Sequence, residues 1–203
     1  QCILTSPTTA CFSGIDTEEK INLGDAIRYF GDGFQISKKI HDKKIWRIPV
    51  MEGEFVIEDK TSIASGIGGG NILIIGNSNQ QVLKSAEAAV KEMRKVNNII
   101  LPFPGGIVRS GSKVGSKYKN LIASTNDAYC PTLKGITKTK LSIDNESVLE
   151  IVIDGTNEKD IEQAMKKGIN IICKKYNKGI KTISAGNYGG KLGPYHFHLR
   201  EIM

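Results

Sequence analysis

The sequence predicts an α+β fold in which a β-α-β unit occurs twice from about residue 70 onward. In the first copy, an apolar strand at 71–75 precedes a helical apolar pattern and a short strand at 98–101. In the second copy, strands at 149–153 and 180–183 flank another helical pattern. Apolar residues that recur three or four positions apart indicate a helix, whereas short apolar runs that end near glycine indicate buried strands.

The two copies share residues at a constant separation of 78 positions. The predicted helix caps Asn79 and Asn157 correspond in this way, as do two Gly-x-Lys-x-Gly motifs at 111–115 and 189–193. The predicted buried helix faces are Val82, Ala86, Ala89, Val90 and Met93 in the first copy, and Ile161, Met165, Gly168, Ile169 and Ile172 in the second. Two such units in tandem predict a ferredoxin-like β-α-β-β-α-β domain.

The first 60 residues predict short strands and no helix of useful length. Apolar or alternating runs at 2–5, 26–30, 44–48 and 54–58 are separated by turn residues, including the Gly-Asp-Gly turn at 31–33. These strands do not complete a domain by themselves. We therefore expect them to be the end of a domain whose beginning precedes this sequence.

Composition narrows the functional class. The chain has 203 residues and a net charge of +7 from lysines spread along its length. This charge fits either a solvated basic surface or attraction of anionic substrates such as phosphate- or carboxylate-bearing coenzymes, and composition alone does not choose between them. No apolar run approaches the roughly 18 residues needed to span a bilayer, and no signal peptide opens the chain, so we expect a cytoplasmic protein without a membrane partner.

The four cysteines form no Cys-x-x-Cys pair, and His196 and His198 on a predicted strand offer only two nitrogens, so no metal site is expected. The aliphatic repeat strands lack the aromatic residues that stack on bases, so nucleic acid is not an expected partner.

A polar segment between the two strand-helix units points to a binding site. It contains the rigid turn Pro-Phe-Pro-Gly-Gly at 102–106, the Gly-Ser-Lys-Val-Gly loop at 111–115 and the polar run at 123–132. The glycine-rich stretch at 66–71 is not a dinucleotide motif, because a strand follows it where a helix would have to begin. The glycines at 106 and 111 lack the Lys-Ser/Thr pair of a phosphate-binding loop.

Glu150 is the candidate catalytic residue that the pattern itself singles out. Its strand is apolar on both faces, with Val148 and Val152 beside it, so the carboxyl group would be desolvated and its neutral form favoured. A neutral carboxyl group could donate a hydrogen bond to a developing oxyanion. The alternative is a glutamate at the start of a strand, with its side chain pointing to water. Asn71 takes a similar place in the first copy, 79 positions before Glu150 and so one position off the separation of the other pairs, which suggests a site near the axis that relates the copies.

Several unusual strings in order resemble the formylmethanofuran:tetrahydromethanopterin formyltransferase family. They are Tyr-Phe-Gly-Asp-Gly-Phe-Gln at 29–35, Trp-Arg-Ile-Pro-Val-Met-Glu-Gly-Glu-Phe at 46–55, the segments 102–108, 112–117 and 123–132, and Ser-Ala-Gly-Asn-Tyr-Gly-Gly-Lys-Leu-Gly at 184–193. The resemblance covers essentially the whole chain. It implies two ferredoxin-like lobes, with residues 1–52 as the C-terminal remainder of the distal lobe and 53–203 as the proximal lobe.

The resemblance also implies a function. The family transfers a formyl group from formylmethanofuran to N5 of tetrahydromethanopterin in one-carbon metabolism, through a ternary complex and a tetrahedral oxyanion. It uses these two coenzymes as substrates and no metal or prosthetic group. The family's catalytic glutamate falls on Glu150. By the same resemblance, the residues expected to line the coenzyme clefts are Ser112, Lys113, Thr125, Asn126, Asp127 and Tyr129.

Two assemblies are compatible with this resemblance. The first is a formyltransferase that works by itself as a homodimer or homotetramer. The second is a coenzyme-binding subunit that works only inside a formyltransferase/hydrolase complex. Retention of Glu150 and of the polar segment favours the first.

Overall fold

A computed structural model describes residues 2–186 and 193–203, and the chain divides into two compact units, one up to Ser65 and one from Gly66. The predicted boundary between residues 52 and 53 stays a prediction. The strand that follows it, Gly53–Glu58, pairs with Lys43–Val50 in the sheet of the first unit.

The first unit contains a four-stranded sheet with the strand order β1-β5-β4-β3 and a two-stranded sheet of β2 and β6. Its elements are β1 (Ala10–Cys11), β2 (Lys20–Ile21), α1 (Leu23–Ile27), β3 (Ile36–Ile40), β4 (Lys43–Val50), β5 (Gly53–Glu58) and β6 (Thr61–Ser62). Alternate residues of β4 and β5 point to one side, where Trp46, Ile48, Phe55 and Ile57 form a buried cluster. The strands predicted at 44–48 and 54–58 are confirmed.

Two strand predictions in this unit are wrong. Residues 2–5 form turns, in which the Thr5 and Ser6 hydroxyl groups both donate to the carbonyl oxygen of Cys2, at 3.2 and 3.0 Å. The stretch 26–30 belongs to α1 and the 3-10 turn that follows it. There Arg28 Nε donates to Asp25 Oδ1 at 2.8 Å, a side-chain pair three residues apart that a helical turn brings together.

The second unit contains the β-α-β pattern twice, as the repeat predicts. Its elements are β7 (Ile67–Gly76), α2 (Asn79–Met93), β8 (Ile99–Ile100), β9 (Ser112–Val114), β10 (Ala123–Thr125), β11 (Ser147–Gly155), α3 (Glu158–Lys175), β12 (Ile180–Ala185) and α4 (Leu199–Ile202). The main sheet has the order β12-β7-β11-β8, and each neighbouring pair is antiparallel. The motif glycine and lysine at 189 and 191 lie outside the described residues.

The core of the second unit lies between this sheet and the two long helices. Every residue predicted for the buried faces of α2 and α3 is buried. Against them pack Ile72 and Ile74 of β7 and Ile151 and Ile153 of β11, all with no exposed surface. Because side chains alternate along a strand, residues 71, 73, 150 and 152 face the opposite side of the sheet. That side carries the candidate site.

The two helix starts differ in chemistry. Asn157 caps α3 as predicted, since its Oδ1 accepts from the main-chain N–H of Asp160 at 3.0 Å. The predicted cap Asn79 is wrong by one position, because α2 begins at Asn79 and Ser78 occupies the cap without a side-chain hydrogen bond. No helix in the described part of the chain is long and apolar enough to cross a membrane.

Candidate active site

Glu150 lies inside β11, with strand partners on both sides. It stands opposite Leu73 of β7, and on its other edge it forms an isolated bridge with Val108. Val108 N–H donates to the Glu150 carbonyl oxygen at 2.7 Å, and Glu150 N–H donates back at 3.0 Å. Only 4% of Glu150 is exposed. The alternative of a glutamate that points to water from a strand start is therefore wrong.

The buried carboxyl group of Glu150 meets the side chain of Asn71. Asn71 Nδ2 donates a hydrogen bond to Glu150 Oε1 at 2.7 Å. In the antiparallel register Asn71 stands opposite Val152, one position along the same face from the Leu73–Glu150 pair, so the two polar side chains are diagonal neighbours. The polar residues that the sequence singles out in the two copies therefore contact each other, and a functional site around them stays a prediction.

Two clefts flank this amide–carboxyl pair. The cleft that Asn71 lines, called the Asn71 cleft, has a volume of about 750 Å³ and is walled by β7, the end of β12 and the C-terminal segment 195–201. The cleft that Glu150 lines, called the Glu150 cleft, has a volume of about 820 Å³ and is walled by β11, the segment 104–111 and the polar run around Tyr129. Each cleft is large enough for part of an extended organic ligand.

The Pro-Phe-Pro-Gly-Gly turn lies along both clefts. Pro102 and Phe103 line the Asn71 cleft, whereas Pro104 and Gly105 line the Glu150 cleft. Two consecutive glycines in the left-handed region, with φ of 70° at Gly105 and 80° at Gly106, reverse the chain here. The reversal places Val108 at the edge of β11, where it pairs with Glu150. The segment that the sequence singled out is therefore part of the site.

The structure places the six residues that were predicted to line the clefts in three different settings. Asn126 and Tyr129 line the Glu150 cleft. Ser112 and Thr125 face each other across the β9–β10 pair, beyond the lining of that cleft. Lys113 and Asp127 form an ion pair with each other. Their roles as coenzyme ligands stay a prediction, and only Asn126 and Tyr129 share a cleft with Glu150.

The contribution of the Lys113–Asp127 pair to the stability of the fold depends on pH, and this dependence can be tested. The hydrogen bond and charge of Lys113 hold the pKa of the Asp127 carboxyl group below its ordinary value. A lowered carboxyl pKa means that the pair stabilises the fold at neutral pH and that this contribution disappears as the pH falls through the lowered pKa. In Lys113→Met we expect the pKa of Asp127 to rise toward its ordinary value in a carboxyl-carbon NMR titration, whereas Lys117→Met leaves it unchanged. An identical Asp127 pKa in the parent and Lys113→Met would contradict the pairing.

Sequence reasoning missed most of the groups that give the clefts their charge. Among the described residues, the titratable ones that line the Asn71 cleft are Asp154, Tyr195, His196, His198, Arg200 and Glu201. Those of the Glu150 cleft, besides Glu150 and Tyr129, are Glu87, Arg109, Cys130 and Glu146. The strand predicted for the histidines is wrong, since 195–198 forms no strand and their rings stack with centroids 6.4 Å apart. The aromatic and cationic run after Pro194 is the signal that could have identified this wall.

Comparison with known proteins gives the site a family context. A family model described as "FTR, proximal lobe" matches residues 53–202, and one described as "Formylmethanofuran-tetrahydromethanopterin formyltransferase" matches residues 1–50. A protein of that second name from Methylobacillus flagellatus is 62% identical over 208 residues, which cover 100% of this chain and 69% of the relative.

Two solved structures are similar over the whole chain, each with a TM-score of 0.83. One is the formyltransferase/hydrolase complex from Methylorubrum extorquens with methylofuran, 48% identical over 68% of that chain. The other is the formylmethanofuran:tetrahydromethanopterin formyltransferase from Methanosarcina barkeri, 45% identical over 69% of that chain. In both cases 100% of the present chain is covered.

Proposed function

Because this chain belongs to the formylmethanofuran-tetrahydromethanopterin formyltransferase family, we propose that Glu150 stabilises the transition state of its formyl transfer. The chain is a formyltransferase of one-carbon metabolism, and its coenzyme substrates are methanofuran and tetrahydromethanopterin. The observation that carries the proposal is the position of Glu150, which is buried between two clefts and held by Asn71. The resemblance found in the sequence is confirmed.

The proposed reaction runs through a tetrahedral intermediate. N5 of tetrahydromethanopterin attacks the formyl carbon, a C–N bond forms, and the carbonyl electron pair moves onto the oxygen. The intermediate collapses when the C–N bond to the furan amine breaks, and the proton that N5 loses leaves with that amine. The formyl donor is amide-like and therefore a poor electrophile, so the largest demand is to stabilise the negative oxygen. A neutral Glu150 carboxyl group would donate a hydrogen bond to it.

Burial makes this donor effective. A hydrogen bond to a developing charge is stronger where water is excluded, and Glu150 is 4% exposed. In the sheet Leu73 stands opposite Glu150, Val152 lies on the same face, and the Asn71 amide contacts the carboxyl group.

The two clefts support binding of both coenzymes at once. Each cleft reaches one partner of the Asn71–Glu150 pair, so ligands in the two clefts would have their nearest ends at that pair. Holding both reactants in place supplies much of the rate acceleration of a two-substrate reaction. The net charge of +7 favours negatively charged coenzymes, and Asn126 and Tyr129 are the proposed contacts in the Glu150 cleft.

Steady-state kinetics test the ternary complex. The rate of formyl-tetrahydromethanopterin formation is measured while both coenzymes are varied. We expect intersecting double-reciprocal lines, because both substrates must be bound before transfer. Parallel lines together with a formylated protein in mass spectrometry would overturn the proposal in favour of a covalent formyl-enzyme.

A second candidate function is that of a non-autonomous subunit. The similar chain from Methylorubrum extorquens belongs to a formyltransferase/hydrolase complex, which is the observation that favours it. Transfer that appears only after hydrolase subunits are added would establish this assembly. Transfer by the chain alone would support the homodimer or homotetramer.

The proposal also includes the fold of the second unit, the boundary between the lobes and the cellular location. The antiparallel order β12-β7-β11-β8 with both helices on one side supports a ferredoxin-like second unit. The family model that begins at residue 53 supports a proximal lobe over 53–203, preceded by the remainder of the distal lobe over 1–52. A cytoplasmic location accords with the cysteine usage and with coenzymes of central one-carbon metabolism.

A further inference from the structure

A second carboxyl group, that of Asp154, lies on the same face of β11 as Glu150. Side chains alternate along a strand, so residues 150, 152 and 154 point to one side, and Val152 and Asp154 both line the Asn71 cleft. At the ordinary rise per residue, the Cα atoms of Glu150 and Asp154 are about 13 Å apart. The strand that carries the proposed catalytic acid therefore carries a half-buried carboxylate in the neighbouring cleft.

A β-bulge in β7 holds the Asp154 side chain at the wall of this cleft. Ile153 of β11 pairs with Gly70, and the next residue of β11 pairs with Gly68, so Gly69 is an extra residue in β7. The Gly69 N–H donates instead to Asp154 Oδ1, at 3.0 Å. One oxygen of the carboxylate is thereby fixed by the main chain of the bulge.

The shape of the Asn71 cleft suits a flat ring system. Gly68 and Gly69 are exposed beside Asp154, so the floor there has no side chains. Three aromatic rings also line the cleft, those of Phe103, Tyr195 and Phe197, whereas the described residues that line the Glu150 cleft include one, Tyr129. Planar conjugated rings stack favourably on aromatic faces, so of the two clefts this one favours a planar heterocycle.

We propose that Asp154 recognises tetrahydromethanopterin in the Asn71 cleft by accepting hydrogen bonds from the 2-amino group and N3–H of its pterin ring. These two donors are neighbours on the pyrimidine ring, and a carboxylate has the paired acceptors that match them. Oδ1 keeps a lone pair besides the one that accepts from Gly69 N–H. N5 belongs to the other ring of the pterin, so a coenzyme anchored at Asp154 would extend along β11 toward Glu150. This inference rests on the proposed binding of both coenzymes in the two clefts.

Glu201 is the other acidic residue among the described residues that line the Asn71 cleft. It lies on the short helix α4 and is exposed, so water competes for the hydrogen bonds of its carboxylate. Asp154 is half-buried and already held in one orientation, so hydrogen bonds from a ligand face less competition there. This difference assigns the recognition to Asp154.

The variant Asp154→Asn tests the recognition and preserves the contact with the bulge. Asparagine keeps an Oδ1 that accepts from Gly69 N–H, but its amide nitrogen is a donor that faces the donors of the pterin. We expect the Kd of tetrahydromethanopterin, measured by calorimetry, and its KM to rise roughly 10- to 100-fold. The KM of formylmethanofuran should change by less than about twofold. Parental affinity for the pterin, or a loss confined to formylmethanofuran, would overturn the proposal.

An analogue of tetrahydromethanopterin without the 2-amino group isolates the contact. The parent protein should bind this analogue roughly 10-fold more weakly than the coenzyme. Asp154→Asn should bind the two almost equally, because the partner of the missing group has already been removed. Equal discrimination by both proteins would show that another group binds the 2-amino group and would overturn the assignment.

A matched control is Asp144→Asn. Asp144 pairs with Lys181 at 2.9 Å and lines neither cleft, so this variant should keep the parental Kd and both KM values. A larger loss of pterin affinity in Glu201→Gln than in Asp154→Asn would overturn the role of Asp154 in favour of Glu201. Circular dichroism of each variant verifies that it is folded.

Failure of this inference differs from failure of the proposed function. Parental pterin affinity in Asp154→Asn, together with intersecting kinetic lines for the parent, would overturn the recognition by Asp154 alone. Parallel lines and a formylated parent protein would instead overturn the ternary complex on which the inference rests.

Discussion

Replacing Glu150 with glutamine is expected to lower kcat for formyl transfer about 100-fold. Glutamine preserves the size of the side chain and an oxygen that can accept from Asn71 Nδ2. Its amide N–H is a weaker donor than a carboxylic acid, so the oxyanion is stabilised less. Glu150→Leu keeps no hydrogen-bond donor, and its kcat should fall about 1,000-fold, in the range found when an oxyanion donor is removed. The measurement is kcat with both coenzymes at saturation.

A control distinguishes loss of catalysis from the general effect of replacing a buried glutamate. Glu58 is also a buried glutamate, 6% exposed, and it accepts from Lys43 Nζ at 3.0 Å in the first unit. Glu58→Gln should lower the unfolding temperature and leave kcat within about twofold of the parent, since this carboxyl group belongs to neither cleft. If Glu150→Gln and Glu150→Leu both retain parental kcat, the hydrogen-bond donor to the formyl oxygen must be another group.

The repeat could be predicted from sequence because its burial pattern is local. Each residue of the apolar faces of α2 and α3 lies three or four positions from another member of the same face, and each is buried. The same reasoning failed at 26–30, where apolar residues at 26, 27, 29 and 30 fit a strand as well as a short helix. There the hydrogen bond from Arg28 to Asp25 accompanies the helical turn, and a pattern of apolar positions does not contain that interaction.

The candidate site was only partly accessible to such reasoning. The apolar residues on both sides of Glu150 in the sequence indicated a buried carboxyl group but left a glutamate that points to water open as the alternative. Its hydrogen bond to Asn71 depends on the register of β7 against β11, which brings these two residues, 79 positions apart in the chain, into diagonal contact. The wall formed by 195–201 depends on where the C-terminal segment returns to the sheet, and no local pattern encodes that return. Long-range geometry therefore accounts for what the sequence left undetermined.

Gly70 should be among the positions where a small change costs the most stability. It faces the helices, next to Asn71 on the opposite face, and a Cβ atom there would overlap Ile161 Cγ2 and lie 3.4 Å from Met165 Sδ. Ile161 and Met165 have no exposed surface, so neither can turn outward to make room. Overpacking of this kind costs about 1–3 kcal/mol, and we expect Gly70→Ala to lie near the upper end of that range.

The matched control for Gly70→Ala is Gly135→Ala, because nothing lies within 4 Å of a Cβ atom built at Gly135. The free energy of unfolding from urea denaturation should fall by about 2–3 kcal/mol for Gly70→Ala and change by less than about 0.5 kcal/mol for Gly135→Ala.

The overlap that Gly70→Ala introduces should also lower the rate of catalysis. If β7 shifts to relieve the overlap, Asn71 moves with it, so kcat of Gly70→Ala should fall under conditions where the protein remains folded. Stability equal to that of Gly135→Ala would show that α3 is free to move away from β7 and that the close approach at Gly70 does not hold the site in place.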